Sequence, residues 1–164
     1  MSILRVPSFA QRVVVVLSLA GLLSACGGSD SAGPPADPAG TISSAVRTQG
    51  QGAFLVDFDL GTVTAVNSGG LADLYLDANV NFNVGPTVPA GQQPRRIADV
   101  GVVSGLGAVV GTTSGGFAST NSAIVGHGYV LQDNARIWRV FVTSVITSAT
   151  SGGVIGVNIK WASL

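Results

Sequence analysis

Between Ala72 and Val84 the chain alternates strictly. Ala72, Leu74, Leu76, Ala78, Val80, Phe82 and Val84 are apolar, and Asp73, Tyr75, Asp77, Asn79, Asn81 and Asn83 stand between them. A period of two sends one set into a buried sheet face and the other toward water. The stretch is too long for a typical strand, so it reads as a hairpin or a bent strand. A two-residue loop at Ala78-Asn79 would pair Asp77 with Val80, which the pattern disfavours. A three-residue loop at Asp77–Asn79 pairs Leu76 with Val80, which it allows.

The same period recurs on both sides. Phe54, Val56 and Phe58 are expected inward, with Asp57 and Asp59 outward on a solvated face. Ile97 to Val103 and Ala108 to Thr112 are further strand candidates. Ser122 to Gln132 is followed by Asp133-Asn134-Ala135, residue types that suit a tight turn. Arg136 to Thr147 then returns as the second strand of a hairpin. It places Trp138, Val140, Val142 and Ile146 on one face, with Arg139 and Thr143 opposite. After Ser151-Gly152-Gly153, a last strand from Val154 to Trp161 groups Ile155, Val157, Ile159 and Trp161. Helical periodicity is absent from this part of the chain. Short strands separated by glycine-rich turns predict an all-β fold, an antiparallel β-sandwich or small barrel.

The first 26 residues follow a different pattern. Arg5 and Arg12 make a basic start, and Val13 to Leu23 is an apolar run of 11 residues. Crossing a bilayer takes about 20, so the run matches the core of an export signal. It ends in Leu23-Ser24-Ala25-Cys26, and Cys26 is the only cysteine. This arrangement resembles the lipobox of bacterial lipoproteins. The resemblance implies that the chain is cut before Cys26, whose sulfur then carries diacylglycerol and whose nitrogen carries an acyl chain. Each buried methylene contributes about 0.8 kcal/mol, and two or more chains hold a protein stably on a membrane. Residues 1–25 are thus expected to be a signal peptide. The mature protein should sit lipid-anchored at the cell envelope, without crossing the membrane. Gly27 follows the cysteine where inner-membrane retention often uses Asp, which leans toward the outer membrane in a Gram-negative host.

Gly27 to Gly40 (GGSDSAGPPADPAG) holds no large apolar residue. Such a segment buries too little surface to offset its ordering entropy. Residues 26–40 are therefore expected to be the lipidated cysteine and a flexible tether spanning roughly 20 Å. Residues 41–164 are expected to form one domain. The succession of Phe58-Asp59-Leu60-Gly61, Ala72–Asp77, Gly105–Val109, Gly126–Leu131, the Trp138 strand and Gly153–Trp161 also resembles a β domain found in bacterial lipoproteins, with no functional residues carried across.

Charge narrows the function classes. After Cys26 there are six basic residues and eight aspartates with no glutamate, a formal charge of −2. A basic footprint for nucleic acid is missing. The nucleophile-elbow pattern G-x-S-x-G is missing too. Acylated Cys26 could be neither nucleophile nor metal ligand, and one histidine without a thiol cannot make the usual zinc sets. Calcium could draw on Asp57, Asp59, Asp73 and Asp77, but no metal site and no cofactor is expected.

His127 is the only histidine, and alternation places it with Val125, Tyr129 and Leu131. Flanking Gly126 and Gly128 would let a ligand approach, with His127 and Tyr129 as ligand-binding residues. They would equally let bulk such as Trp138 pack closely, and strand glycines often mark close packing. Tyr75, an aromatic among Asp and Asn, is a candidate sugar platform. Trp138 and Trp161 fall on apolar faces and read as core. Arg95-Arg96, beside the loop from Pro86 to Pro94, could touch anionic headgroups. The leading expectation is a non-enzymatic binding or structural module at the envelope, with an envelope glycan or protein as partner. A small-ligand carrier for sugar, lipid or haem is the alternative, and a hydrolase using His127 comes last.

Overall fold

Leu74, Leu76 and Phe82 are wholly buried, as the alternation requires. They sit on β4 (Leu74–Leu76) and β5 (Asn81–Val84), an antiparallel pair with Leu76 opposite Phe82. The computed structural model describes residues 33–66, 72–85, 93–111, 116–134 and 136–164. The remaining strands are β1 (Ile42–Arg47), β2 (Leu55–Asp57), β3 (Thr62–Thr64), β6 (Arg96–Val102), β7 (Thr120–Ser122), β8 (His127–Asp133), β9 (Arg136–Thr147) and β10 (Val154–Ser163). They form two antiparallel five-stranded sheets that do not close into a barrel. The first runs β1-β10-β9-β8-β6 and the second β3-β2-β4-β5-β7. The fold is an all-β antiparallel sandwich. Its folded unit begins at Pro34, inside the segment read as tether.

Aromatic rings join the sheets. Phe82 meets Tyr129 edge-on at 5.2 Å, and Phe58 stacks on Trp138 at 5.4 Å and meets Trp161 edge-on at 5.6 Å. Val46, Val56, Ile97, Leu131, Val140, Val142, Val157 and Ile159 complete this core. A second, smaller core lies on the other face of the first sheet. There a single 3-10 turn (Leu106–Ala108) and Val109 cover Val130 and Ala162.

Five expectations change. The hairpin loop is wider than three residues, because the Asp77 carboxylate accepts hydrogen bonds from the N–H groups of Asn79 (2.8 Å) and Asn81 (2.9 Å) and from the side chains of Asn81 and Asn83. Val80 lies in that loop at φ 63° and is not the partner of Leu76. Ala108 forms part of the 3-10 turn and not a strand, and Thr112 lies outside the described residues. The expected strand from Ser122 to Gln132 is two strands in different sheets, broken by a turn in which Gly126 adopts φ 81°. In β9 a bulge at Thr143 shifts the phase, so Val145 and not Ile146 stands opposite Val157. An extra residue in one strand of a pair reverses every later side chain.

The fifth change concerns charge. Asp57 and Asp73, expected in water, are buried. The Asp57 carboxylate accepts from the Leu60 N–H at 2.8 Å, and Asp73 accepts from the Phe58 N–H at 2.7 Å. Arg95, expected near headgroups, instead bridges Asp73 at 3.0 Å and Asp133 at 3.2 Å and donates to the Ala72 carbonyl at 3.1 Å. Its side chain and that of Asp73 are only 9% and 3% exposed. This triad ties β4 of the second sheet to β6 and β8 of the first. Burial pushes the Asp73 carboxyl up to about 6, against the Phe58 hydrogen bond and the Arg95 charge, with Asp133 and Asp57 adding to the rise.

Asp77 shifts the other way. Burial raises its pKa, but the hydrogen bonds from Asn81, Asn83 and Asn79 outweigh it and hold the carboxyl below its ordinary value.

Candidate functional site

β8 carries His127, Tyr129 and Leu131 on one face, as alternation requires. His127 stands at the start of the strand and not in its middle. Antiparallel pairing with β6 sets Asp99 opposite Tyr129 and Val102 opposite His127, with a bulge between Asp99 and Gly101. The bulge turns the Asp99 carboxylate onto the imidazole. His127 Nδ1 lies 3.0 Å from both Asp99 oxygens and donates to them, while the Gly101 N–H donates to Asp99 Oδ1 at 2.7 Å. The imidazole and the carboxylate are 20% and 26% exposed.

Tyr129 is fully buried. Its hydroxyl donates to the Ser122 carbonyl at 2.6 Å and accepts from the Ile124 N–H at 2.8 Å. Burial pushes its pKa up to about 12, against the Ile124 bond, and the Asp99 charge adds to the rise. The phenol therefore stays protonated and holds the turn between β7 and β8. A ligand could reach this hydroxyl only by displacing both partners.

The flanking glycines have local causes. A Cβ at Gly128 would lie 2.6 Å from Val109, 2.9 Å from Val100 and 3.0 Å from Val103. Glycine there lets the second core close onto the sheet, and the crowding groups are these valines rather than Trp138. Gly126 supplies the positive φ of the turn, a conformation glycine adopts without steric cost. Around the dyad, Val102 is 80% exposed, Val125 46% and Ile124 44%, an aliphatic rim at this end of the sandwich.

Tyr75 lies elsewhere. On β4 it pairs with Leu55 and Asn83, and Asn83 pairs with Thr120. It is half-buried on the outer face of the second sheet, so it does not join His127 and Tyr129 in one site. Cys26 lies outside the described residues. Among the described residues, no helix is long and apolar enough to cross a membrane, and no three His, Cys, Asp or Glu side chains gather as a metal site. Two open grooves lie on the surface. One of about 410 Å³ is lined by Arg136, Ile137, Trp138, Ser163 and Leu164, and another of about 370 Å³ by Ser43, Thr143, Ser144, Asn158 and Lys160 among others.

Sequence reasoning missed Asp99 and the Asp73–Arg95–Asp133 triad. The one available signal for Asp99 was a lone acid inside an otherwise apolar strand candidate. No protein-family model, curated protein or solved structure matches this chain.

Proposed function

We propose that this protein is lipid-anchored at the cell envelope and that its β-sandwich is a non-enzymatic binding or structural module. The outer membrane is its site if the host is Gram-negative. The observation that carries the reading is Leu23-Ser24-Ala25-Cys26 at the end of a basic-then-apolar leader, with the chain's only cysteine at the acylation position. The state of the chemical groups agrees with a binding role. Asp99 is the hydrogen-bond partner of the His127 ring among the described residues, and the Tyr129 hydroxyl is saturated. Phe82, Tyr129 and Trp161 fill the space between the sheets, which favours an envelope glycan or protein met at the surface over a ligand held inside. The aliphatic rim beside His127 favours a second reading, a carrier that takes a small apolar ligand at that end.

The test is metabolic labelling of the full chain with an alkyne fatty acid, followed by membrane fractionation. Labelled protein in the membrane fraction is the expected result, with both label and membrane association lost in Cys26→Ser. Label that persists in Cys26→Ser, or wild type that never takes label, overturns the reading. A His127→Ala variant that keeps its fold and loses a fatty-acid or haem ligand would move the assignment to the carrier.

A further inference from the structure

The segment after the anchor is held against the fold sooner than its composition suggests. Asp37 pairs with Lys160 at 2.5 Å. The backbone of Pro35-Ala36 crosses the 3-10 turn so closely that a Cβ on Gly107 would lie 2.3 Å from the Ala36 carbonyl oxygen. Thr41 closes the strap by donating from its N–H and its hydroxyl to the Pro38 carbonyl, at 3.2 and 2.5 Å. Lys160 points away from the main core, since its neighbours Ile159 and Trp161 are the buried ones and its cross-strand partner Phe141 packs in the second core. The strap therefore lies on the outer face of the first sheet.

Only Gly27 to Gly33 then separate Cys26 from the strap. Eight residue steps span at most about 28 Å when fully extended. The chain thus enters the domain beside the 3-10 turn, within eight residues of the acylated cysteine.

That region is suited to a bilayer surface. Val110 is 59% exposed and Leu164 47%, and the two adjoin, since a Cβ on the intervening Gly111 would clash with the Leu164 side chain. Phe117 packs on the second core with the exposed Arg96 guanidinium 5.2 Å above its ring. Arg139 donates to the Ser163 carbonyl at 3.3 Å on the same face, and the acid there, Asp37, is paired with Lys160. Apolar side chains beside arginines match the boundary between acyl chains and anionic headgroups, which attract basic groups near the surface. We propose that the outer face of the first sheet, centred on Val110, Leu164, Phe117, Arg96 and Arg139, rests on the membrane that holds the anchor. The second sheet, with Tyr75 on its outer face, then points away from that membrane. The proposal rests on acylation of Cys26.

The test uses the full acylated protein in vesicles of phosphatidylethanolamine and phosphatidylglycerol. An environment-sensitive fluorophore is attached through Val110→Cys or, separately, Tyr75→Cys, because acylated Cys26 does not react with it. Mass spectrometry first records the state of Cys26. Several-fold stronger quenching by bromolipids at position 110 than at position 75 is expected. Lys160→Ala, which frees the strap, should narrow that difference while the unfolding midpoint stays near wild type. Arg96→Gln with Arg139→Gln should narrow it in anionic vesicles and not in neutral ones. Acylated protein with equal quenching at both positions overturns the orientation and leaves the anchored module standing. A chain with unmodified Cys26 overturns both. Shielding of position 110 in whole envelopes but not in protein-free vesicles would assign the face to a protein partner and overturn the membrane contact.

Discussion

The two ends of β6 and β8 are built from similar residue types to different effect. At one end Arg95 lies between Asp73 and Asp133, nearly excluded from water and tied to the Ala72 carbonyl. At the other, His127 and Asp99 form a partly exposed pair inside a rim of Val102, Ile124 and Val125. The first end joins the two sheets and leaves little room for a ligand. The second is accessible and apolar at its margin. Buried charge in a small domain is costly unless it is fully partnered, so the triad reads as a structural clamp. The dyad end, partly exposed, carries no such buried charge.

Removing the clamp should have the largest effect. Arg95→Ala leaves Asp73 buried and Asp133 partly buried without their cation, a change that typically costs about 3–5 kcal/mol. Urea unfolding of the variant at neutral pH should show that loss. A loss no larger than that of a surface substitution would remove the distinction between the two ends.

The clamp also makes stability depend on pH. In the folded chain Asp73 titrates at about 6, above its ordinary value of 3.8. The native state therefore binds this proton more tightly than the unfolded state does. Its contribution to stability grows as pH falls from about 6 toward 4, and it disfavours the fold above 6. Between pH 7 and pH 4.5 the expected gain is roughly 2 kcal/mol, since each tenfold change in proton affinity corresponds to about 1.36 kcal/mol. Asp73→Asn should abolish that slope, and Arg95→Ala should be less damaging at pH 5 than at pH 7.5. Asp77 acts in a separate window. Its carboxyl sits below the ordinary value of 3.8. Its stabilisation is therefore present above that value and is lost as pH drops further.

The dyad end should respond least. Asp99→Ala removes a partly exposed partner of His127, and pairs of that kind contribute about 0–1 kcal/mol. Thermal unfolding should shift by no more than a few degrees. A loss comparable to that of Arg95→Ala would make the dyad a second clamp and remove the case for recognition there.

Hydrophobic pattern and residue type alone specify the all-β class, the Asp133-Asn134 hairpin and the inward faces of β4, β5, β8 and β10. These are local properties, set by a two-residue period and by turn chemistry that each segment carries alone. The same period places His127 with Tyr129, because residues two apart share a strand face. Everything else waits on contacts between distant segments. Asp99 meets His127 only because β6 pairs with β8 through a bulge. Asp57 and Asp73 become buried only because neighbouring backbone N–H groups satisfy their oxygens. Arg95 turns inward only because two distant aspartates converge on it. Pro34 to Thr41, polar and proline-rich, joins the fold because Lys160 and the bare backbone of Gly107 offer it a seat. Such outcomes depend on partners many residues away, and hydrophobic period carries no record of them.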